Sequence, residues 1–265
     1  MRRQLKMTRH TPIKIGYDLI LFEKYGLKQE LRIDISSHLH WLVCGNSGSG
    51  KSFFMTFLLR NLLLEYTSSE IILYVLDFKG DELFIKTFQG YSRYYRGKDC
   101  ENGLNDFYAE YQKVRDGNLK DGVIRLIFFD EWSSFFLAVA QTDKKRAERY
   151  KSYLFEMECL GRSMLIGVML SFQRIDAKYI DGRENFFVTI CLGKMSRELK
   201  QMVMQGEDLE QRAIYNVGEG IVRTDDTGTH FLKVPKLRDF EKVCHQIRAS
   251  LHLPDSTEGD EGQVK

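Results

Sequence analysis

The chain has 265 residues, 43% hydrophobic and 29% charged, with only 3 Pro. A chain of that length can bury about three quarters of its unfolded surface, so its stability requires no disulfide or metal. Its 39 Lys and Arg against 37 Asp and Glu leave a net charge of +2, which excludes a polycation that grips nucleic acid by overall charge; any DNA contact must be local.

Residues 1–36 divide into a basic arm carrying Arg2, Arg3, Lys6 and Arg9 and a small strand-rich cap, where short β-prone runs between Ile13 and Ile35 are broken by Gly16 and Gly26. His38 and His40 follow, two apart in an expected strand and sharing a face, without the acidic or Cys neighbours a metal site needs. From residue 37 to 253 apolar runs alternate with helical patterns. The runs Leu39–Cys44, Ile71–Leu76, Val123–Phe129, Leu165–Leu170 and Phe187–Leu192 read as buried strands, and Lys51–Glu65, Leu104–Val114 and Lys144–Leu160 as helices. Strands alternating with helices predict an α/β fold with a mostly parallel central sheet flanked by helices, and such sheets bind ligands at their carboxyl ends. Ile221–Arg223 and His230–Val234 flank a polar, Gly-containing turn and read as a C-terminal β-hairpin. Residues 254–265 read as an acidic disordered tail.

Five cysteines, Cys44, Cys100, Cys159, Cys191 and Cys244, are odd in number and too dispersed for a zinc loop. They read as buried thiols in a reducing compartment. With no signal-type segment and no run of eighteen apolar residues, the expected location is cytoplasmic, with recruitment to a membrane left to a partner.

The strand Leu39–Cys44 runs into Gly45-Asn46-Ser47-Gly48-Ser49-Gly50-Lys51-Ser52, which satisfies G-x-x-x-x-G-K-[ST] and opens a helix. In that arrangement backbone N–H groups curl around phosphate oxygens and the helix N-terminus faces the same anion. Lys51 can then reach the β- and γ-phosphates of ATP, and the Ser52 hydroxyl can join the shell of Mg²⁺. A second element is expected at the end of a neighbouring strand, where Asp130 would hold Mg²⁺ through its water shell and Glu131 would orient and deprotonate water. The competing reading is that both acids merely cap the next helix. Gln173 ends another strand and can hydrogen-bond γ-phosphate or the lytic water, while Asp77 and Lys79 end a third with charges of either functional or ordinary surface type.

These residues together resemble the motor domain of the FtsK/SpoIIIE DNA translocases, within the P-loop ring ATPases that include conjugative coupling proteins. The resemblance covers roughly Ile13 to Val234. It rests on His40-Trp41-Leu42-Val43-Cys44 before the loop, Asp77-Phe78-Lys79 against the family's Asp-Pro-Lys, Asp130-Glu131, and Arg162 before Gln173-Arg174. Phe78 and Ile175 replace family prolines, and Leu165 stands where a glycine is usual. The resemblance implies a RecA-like P-loop NTPase, hexameric rings around double-stranded DNA, ATP at each subunit boundary, and an arginine from the neighbour completing the site. Arg162 is the first candidate for that arginine, with Arg149 and Arg183 as alternatives. The basic stretch Gln141–Arg149 is either a DNA-facing element or a solvated helix face.

Without a legible membrane-spanning segment or winged-helix module, the expectation is a compact motor of the kind carried by conjugative plasmids and integrative elements, partnered by a separate membrane anchor or relaxase. The alternatives are a viral genome-packaging or secretion-type ring ATPase of the same superfamily, or an ATP-dependent assembly protein with negligible turnover.

Overall fold

The computed structural model describes residues 11–173, 177–194 and 216–254. Arg2, Arg3, Lys6, Arg9, Arg174, Ile175 and residues 255–265 of the expected tail lie outside the described residues.

The described chain begins with β1 (Ile13–Asp18), α1 (Leu19–Tyr25) and β2 (Glu30–Ile33). It continues through β3 (Trp41–Gly45), α2 (Lys51–Glu65), β4 (Ile71–Asp77), α3 (Glu82–Phe88), β5 (Tyr94–Arg96) and α4 (Cys100–Arg115). Then come β6 (Ile124–Asp130), α5 (Trp132–Thr142), α6 (Lys144–Leu160), β7 (Ile166–Phe172) and β8 (Val188–Leu192). The hairpin β9 (Glu219–Thr224) and β10 (Gly228–Lys233) leads to α7 (Phe240–Ser250).

The ten described strands form one sheet in the order β2-β1-β10-β9-β8-β3-β7-β6-β4-β5. From β8 to β5 every pairing is parallel; from β8 outward through β9, β10, β1 and β2 every pairing is antiparallel. The N-terminal strands therefore continue the main sheet through β10, and β7 lies between β3 and β6.

Alternating side chains along the parallel strands feed two cores, the signature of a sheet covered on both faces. Trp41 and Val43 of β3, with Ile124, Leu126 and Phe128 of β6, face the layer containing α2 and α3. Leu42 and Cys44, with Ile127 and Phe129, face the layer of α4, α5 and α6. Helix α2 is buried almost all round, from Phe54 to Leu59 and again at Leu62 and Leu63, because the sheet, α3 and α7 all pack against it.

Trp41, Phe128 and Phe129 are fully buried, in keeping with their reading as core. Four of the five cysteines are buried, but Cys159 near the end of α6 is exposed, which corrects the expectation of uniformly buried thiols. Neither His38 nor His40 lies in β3. His38 pairs with Asp226 at 3.3 Å. His40 is enclosed, stacked on Phe187, and burial pushes its imidazole down to about 4. Leu165, expected to begin β7, instead has φ 57 in the turn before it. That left-handed backbone gives a physical reason for the family's preference for glycine there.

Gly167 of β7 shows how tightly the parallel strands pack: a Cβ there would lie 2.2 Å from Leu126 Cδ2 and 2.6 Å from the Leu39 carbonyl. Gly167→Ala should destabilise the protein by about 1–3 kcal/mol through overpacking. Urea unfolding should show a lower midpoint at unchanged slope.

Candidate active site

The parallel register brings four chain segments to one edge of the sheet. Cys44 pairs with Phe172, Phe129 with Leu170, and Asp77 with Asp130. The phosphate loop, Gln173, Asp130 and Asp77 thus emerge side by side at the strand carboxyl ends.

Gly50 has φ 96, a backbone state that a β-carbon disfavours, and turns the loop directly into α2. No side chain caps α2, so the N–H groups of its first turn remain available to an anion. The Ser49 hydroxyl is buried without a hydrogen-bond partner. An uncapped helix start and an orphaned hydroxyl inside a glycine-rich turn fit a phosphate group. Lys51 Nζ folds back to donate to the Gly45 carbonyl at 2.6 Å. Burial pushes the Lys51 ammonium below its ordinary value, opposed by the charges of Glu131 and Asp130.

Asp130 is 5% exposed, and its Oδ1 accepts from Ser171 Oγ at 2.6 Å. Burial raises its carboxyl to about 7, against the Ser171 hydrogen bond and helped by Glu131 and Asp77. The next residue, Glu131, occupies the N-cap position of α5 with φ 60 and makes no side-chain cap. Its Oε1 instead accepts the backbone N–H of Gln173 at 3.0 Å. The helix-cap reading is therefore wrong for the Glu131 side chain: a left-handed residue turns it back along the sheet edge, toward the end of β7.

Two groups received less weight in the sequence than their placement warrants. Asp77 is fully buried and accepts from the N–H groups of Gly80 and Asp81 and from the Tyr94 hydroxyl. Burial holds its carboxyl above the usual range. Asp81, which sequence reasoning passed over, accepts from Ser52 Oγ at 2.7 Å while capping α3 through Leu83 N. Its one legible signal was its position before a short helical run. Phe78, in place of the family proline, packs edge-on against Phe135 with ring centroids 5.6 Å apart.

Among the described residues no three His, Cys, Asp or Glu side chains converge as a protein-only metal site. The donors present, the Ser52 hydroxyl with the carboxylates of Asp130 and Asp81, are hard oxygens suited to a hydrated Mg²⁺ that also binds phosphate. Arg162 is not part of this edge. It lies in the turn Gly161–Met164 before β7, at the opposite end of the parallel strands, with its guanidinium 5.0 Å from the Phe187 ring centroid. Arg149 stands 5.5 Å from the Tyr150 ring on α6, and Arg183 lies in the short turn Arg183–Asn185. In the basic stretch, Arg146 is engaged by Glu101 and Thr142, whereas Lys144, Lys145 and Arg149 are exposed.

The raised Asp130 carboxyl has a consequence for stability. Between the ordinary value of 3.8 and about 7 the folded state keeps a proton that the unfolded chain has released. Stability without nucleotide should therefore fall as pH rises through that window, by at most about 1.4 kcal/mol per unit, and level off above it. Asp130→Asn should flatten this part of the profile and unfold at higher urea than the parent at pH 8, with a much smaller difference at pH 4.

Residues 12–87 match the FtsK/SpoIIIE family. No curated protein matches the chain by sequence. Among solved structures, the pCW3 conjugation coupling protein TcpA, bound to ATPγS, is 20% identical with a TM-score of 0.66, over 94% of this chain and 73% of that one. The cytoplasmic domain of the Thermomonospora curvata type VII secretion ATPase EccC is 19% identical with a TM-score of 0.61, over 93% of this chain and 31% of that one. EssC (ATPases 2 and 3) from Geobacillus thermodenitrificans is 16% identical with a TM-score of 0.68, over 93% and 50%. The chain thus spans about a third to a half of the secretion ATPases it resembles. The segment that matches the family carries the phosphate loop opening α2, the buried acids end the adjacent strands, and the solved structures share the fold, so the described chain is similar to an FtsK/SpoIIIE-type P-loop ATPase motor domain.

Proposed function

We propose that this domain couples ATP hydrolysis to movement of double-stranded DNA, in the transfer of a mobile element. The observation that carries the catalytic part is the convergence of Lys51, Asp130 and Glu131 at one sheet edge, with the Glu131 carboxylate oriented by the Gln173 N–H. Lys51 swings from the Gly45 carbonyl to the β- and γ-phosphates, and the loop N–H groups hold the phosphate oxygens. Bound Mg²⁺, held by Ser52 and by Asp130 through water, would neutralise charge on the phosphates. Glu131 accepts a proton from the water whose oxygen attacks the γ-phosphorus, and ADP departs. Gln173, half-buried and joined to that carboxylate through its backbone N–H, is proposed to orient the water with its side chain.

Arg162 lies at the far end of the strands, so within one subunit it has no role at Lys51. Its exposure suits contact with a neighbour's nucleotide in a ring, for which we propose a hexamer. An arginine supplied this way is worth about 10³–10⁵ in rate in well-studied systems.

The DNA reading draws support from the family match and from the likeness to a conjugation coupling protein. No described helix is long and apolar enough to cross a membrane, and we place the domain in the cytoplasm, recruited by a separate anchor or relaxase. Lys144, Lys145 and Arg149 are the local cations proposed to face phosphates in an otherwise nearly neutral chain. The likeness to EccC and EssC supports a second reading, a motor acting on protein cargo.

Steady-state phosphate release separates the two. Duplex DNA should raise turnover severalfold and a protein cargo should not; the opposite result favours secretion. Glu131→Gln should lower turnover by about 10²–10⁴-fold while retaining ATP binding. Lys51→Ala should lose both. Arg162→Ala subunits mixed with parent subunits should depress the parent's turnover beyond simple dilution if the arginine acts across the boundary.

A further inference from the structure

We infer that Val217 forms the seat for the nucleobase, binding it by its face. The inference rests on the reading of the phosphate loop as an ATP site and adds where the nucleoside lies and what holds it.

The direction of the nucleotide follows from the sheet order. Asp130, Glu131 and Gln173 end β6 and β7, on one side of β3, while β8 and β9 lie on its other side. A triphosphate seated in the loop with its terminal phosphate at Glu131 must lead its sugar and base away from those acids, toward β8 and β9. The segment waiting there is Asn216-Val217-Gly218, which enters β9.

That segment is fastened to the phosphate loop. Gly218 N donates to the Ser49 carbonyl at 3.0 Å, and a Cβ on Gly50 would lie 3.2 Å from Val217 Cγ1. It is also locked from behind. Asn216 Nδ2 donates to Glu219 Oε2 at 2.9 Å, Lys233 holds the other Glu219 oxygen at 2.8 Å, and Val234 N donates to the Gly218 carbonyl at 2.7 Å.

On this rigid turn Val217 is 71% exposed, an apolar side chain with no place in either core. A second apolar group, Phe53, stands in the first turn of α2, 46% exposed and packed edge-on against Phe240. Exposed apolar side chains beside a phosphate cradle offer a heteroaromatic ring a surface to cover, and covering it stabilises both partners. A branched alkyl group contacts the face of a base and cannot read its exocyclic groups, so the seat favours purines by contact area and discriminates weakly between adenine and guanine.

The test compares ligands with and without a base. By calorimetry, Val217→Ala should weaken ATPγS and GTPγS about fivefold each, the loss expected for two buried methyl groups that are only partly covered. Inorganic tripolyphosphate, which fills the cradle alone, should bind the variant within twofold of the parent, and Val217→Ile should restore ATPγS affinity. Unchanged ATPγS affinity in Val217→Ala, or an equal loss for tripolyphosphate, would overturn the seat and leave the phosphate site standing. A parent chain that binds neither ligand would overturn the ATP reading and the seat with it.

Discussion

Three carboxylates share the carboxyl edge of this sheet with almost no access to water: Asp77 is 0% exposed, Asp130 5% and Glu131 4%. Burial raises the cost of ionising Asp77 and Asp130, and the neighbouring charges of Glu131 and Asp77 add to it at Asp130. The protein offsets this cost locally. Asp77 takes two backbone N–H groups and a tyrosine hydroxyl, Asp130 takes the Ser171 hydroxyl, and Glu131 takes the Gln173 N–H. Lys51 alone brings an opposing charge that registers on Asp130. A site built this way is poised for a cation and for the transfer of a proton, the two needs of phosphoanhydride hydrolysis.

The fold exists to hold that arrangement. Inserting β7 between β3 and β6 places Gln173 between loop and acids, and parallel pairing puts all of them at one end. The same parallelism exiles Arg162 to the other end, because it precedes β7 while Gln173 follows it. One strand thus carries a group for its own site at one end and a group facing outward at the other. In the ring proposed above, that geometry would set Arg162 toward a neighbouring subunit.

Much of this was legible before folding. Helices α2 and α6 match their sequence expectations at both ends, since one is opened by the phosphate loop and the other by the Asp143 cap, and the five central strands were all anticipated. Helix α5 was not: polar Ser133 is among its five buried residues while apolar Leu137 is exposed, so residue type does not mark its buried face. Helix α3 spans only seven residues. Asp81 was illegible as a site residue because its importance comes from Ser52, distant in sequence and joined to it only by packing. Glu131 was found as a residue type, but its left-handed backbone, which decides where its carboxylate points, has no sequence signature in a non-glycine residue.

The most direct test is a crystal structure with a non-cleavable ATP analogue and Mn²⁺ in place of Mg²⁺, using the anomalous signal to locate the ion. The account predicts the triphosphate along Gly45–Ser52, the ion beside Ser52 and Asp130, and the Ser52 hydroxyl released from Asp81. An empty loop, or an ion elsewhere with the Ser52–Asp81 hydrogen bond intact, would contradict it.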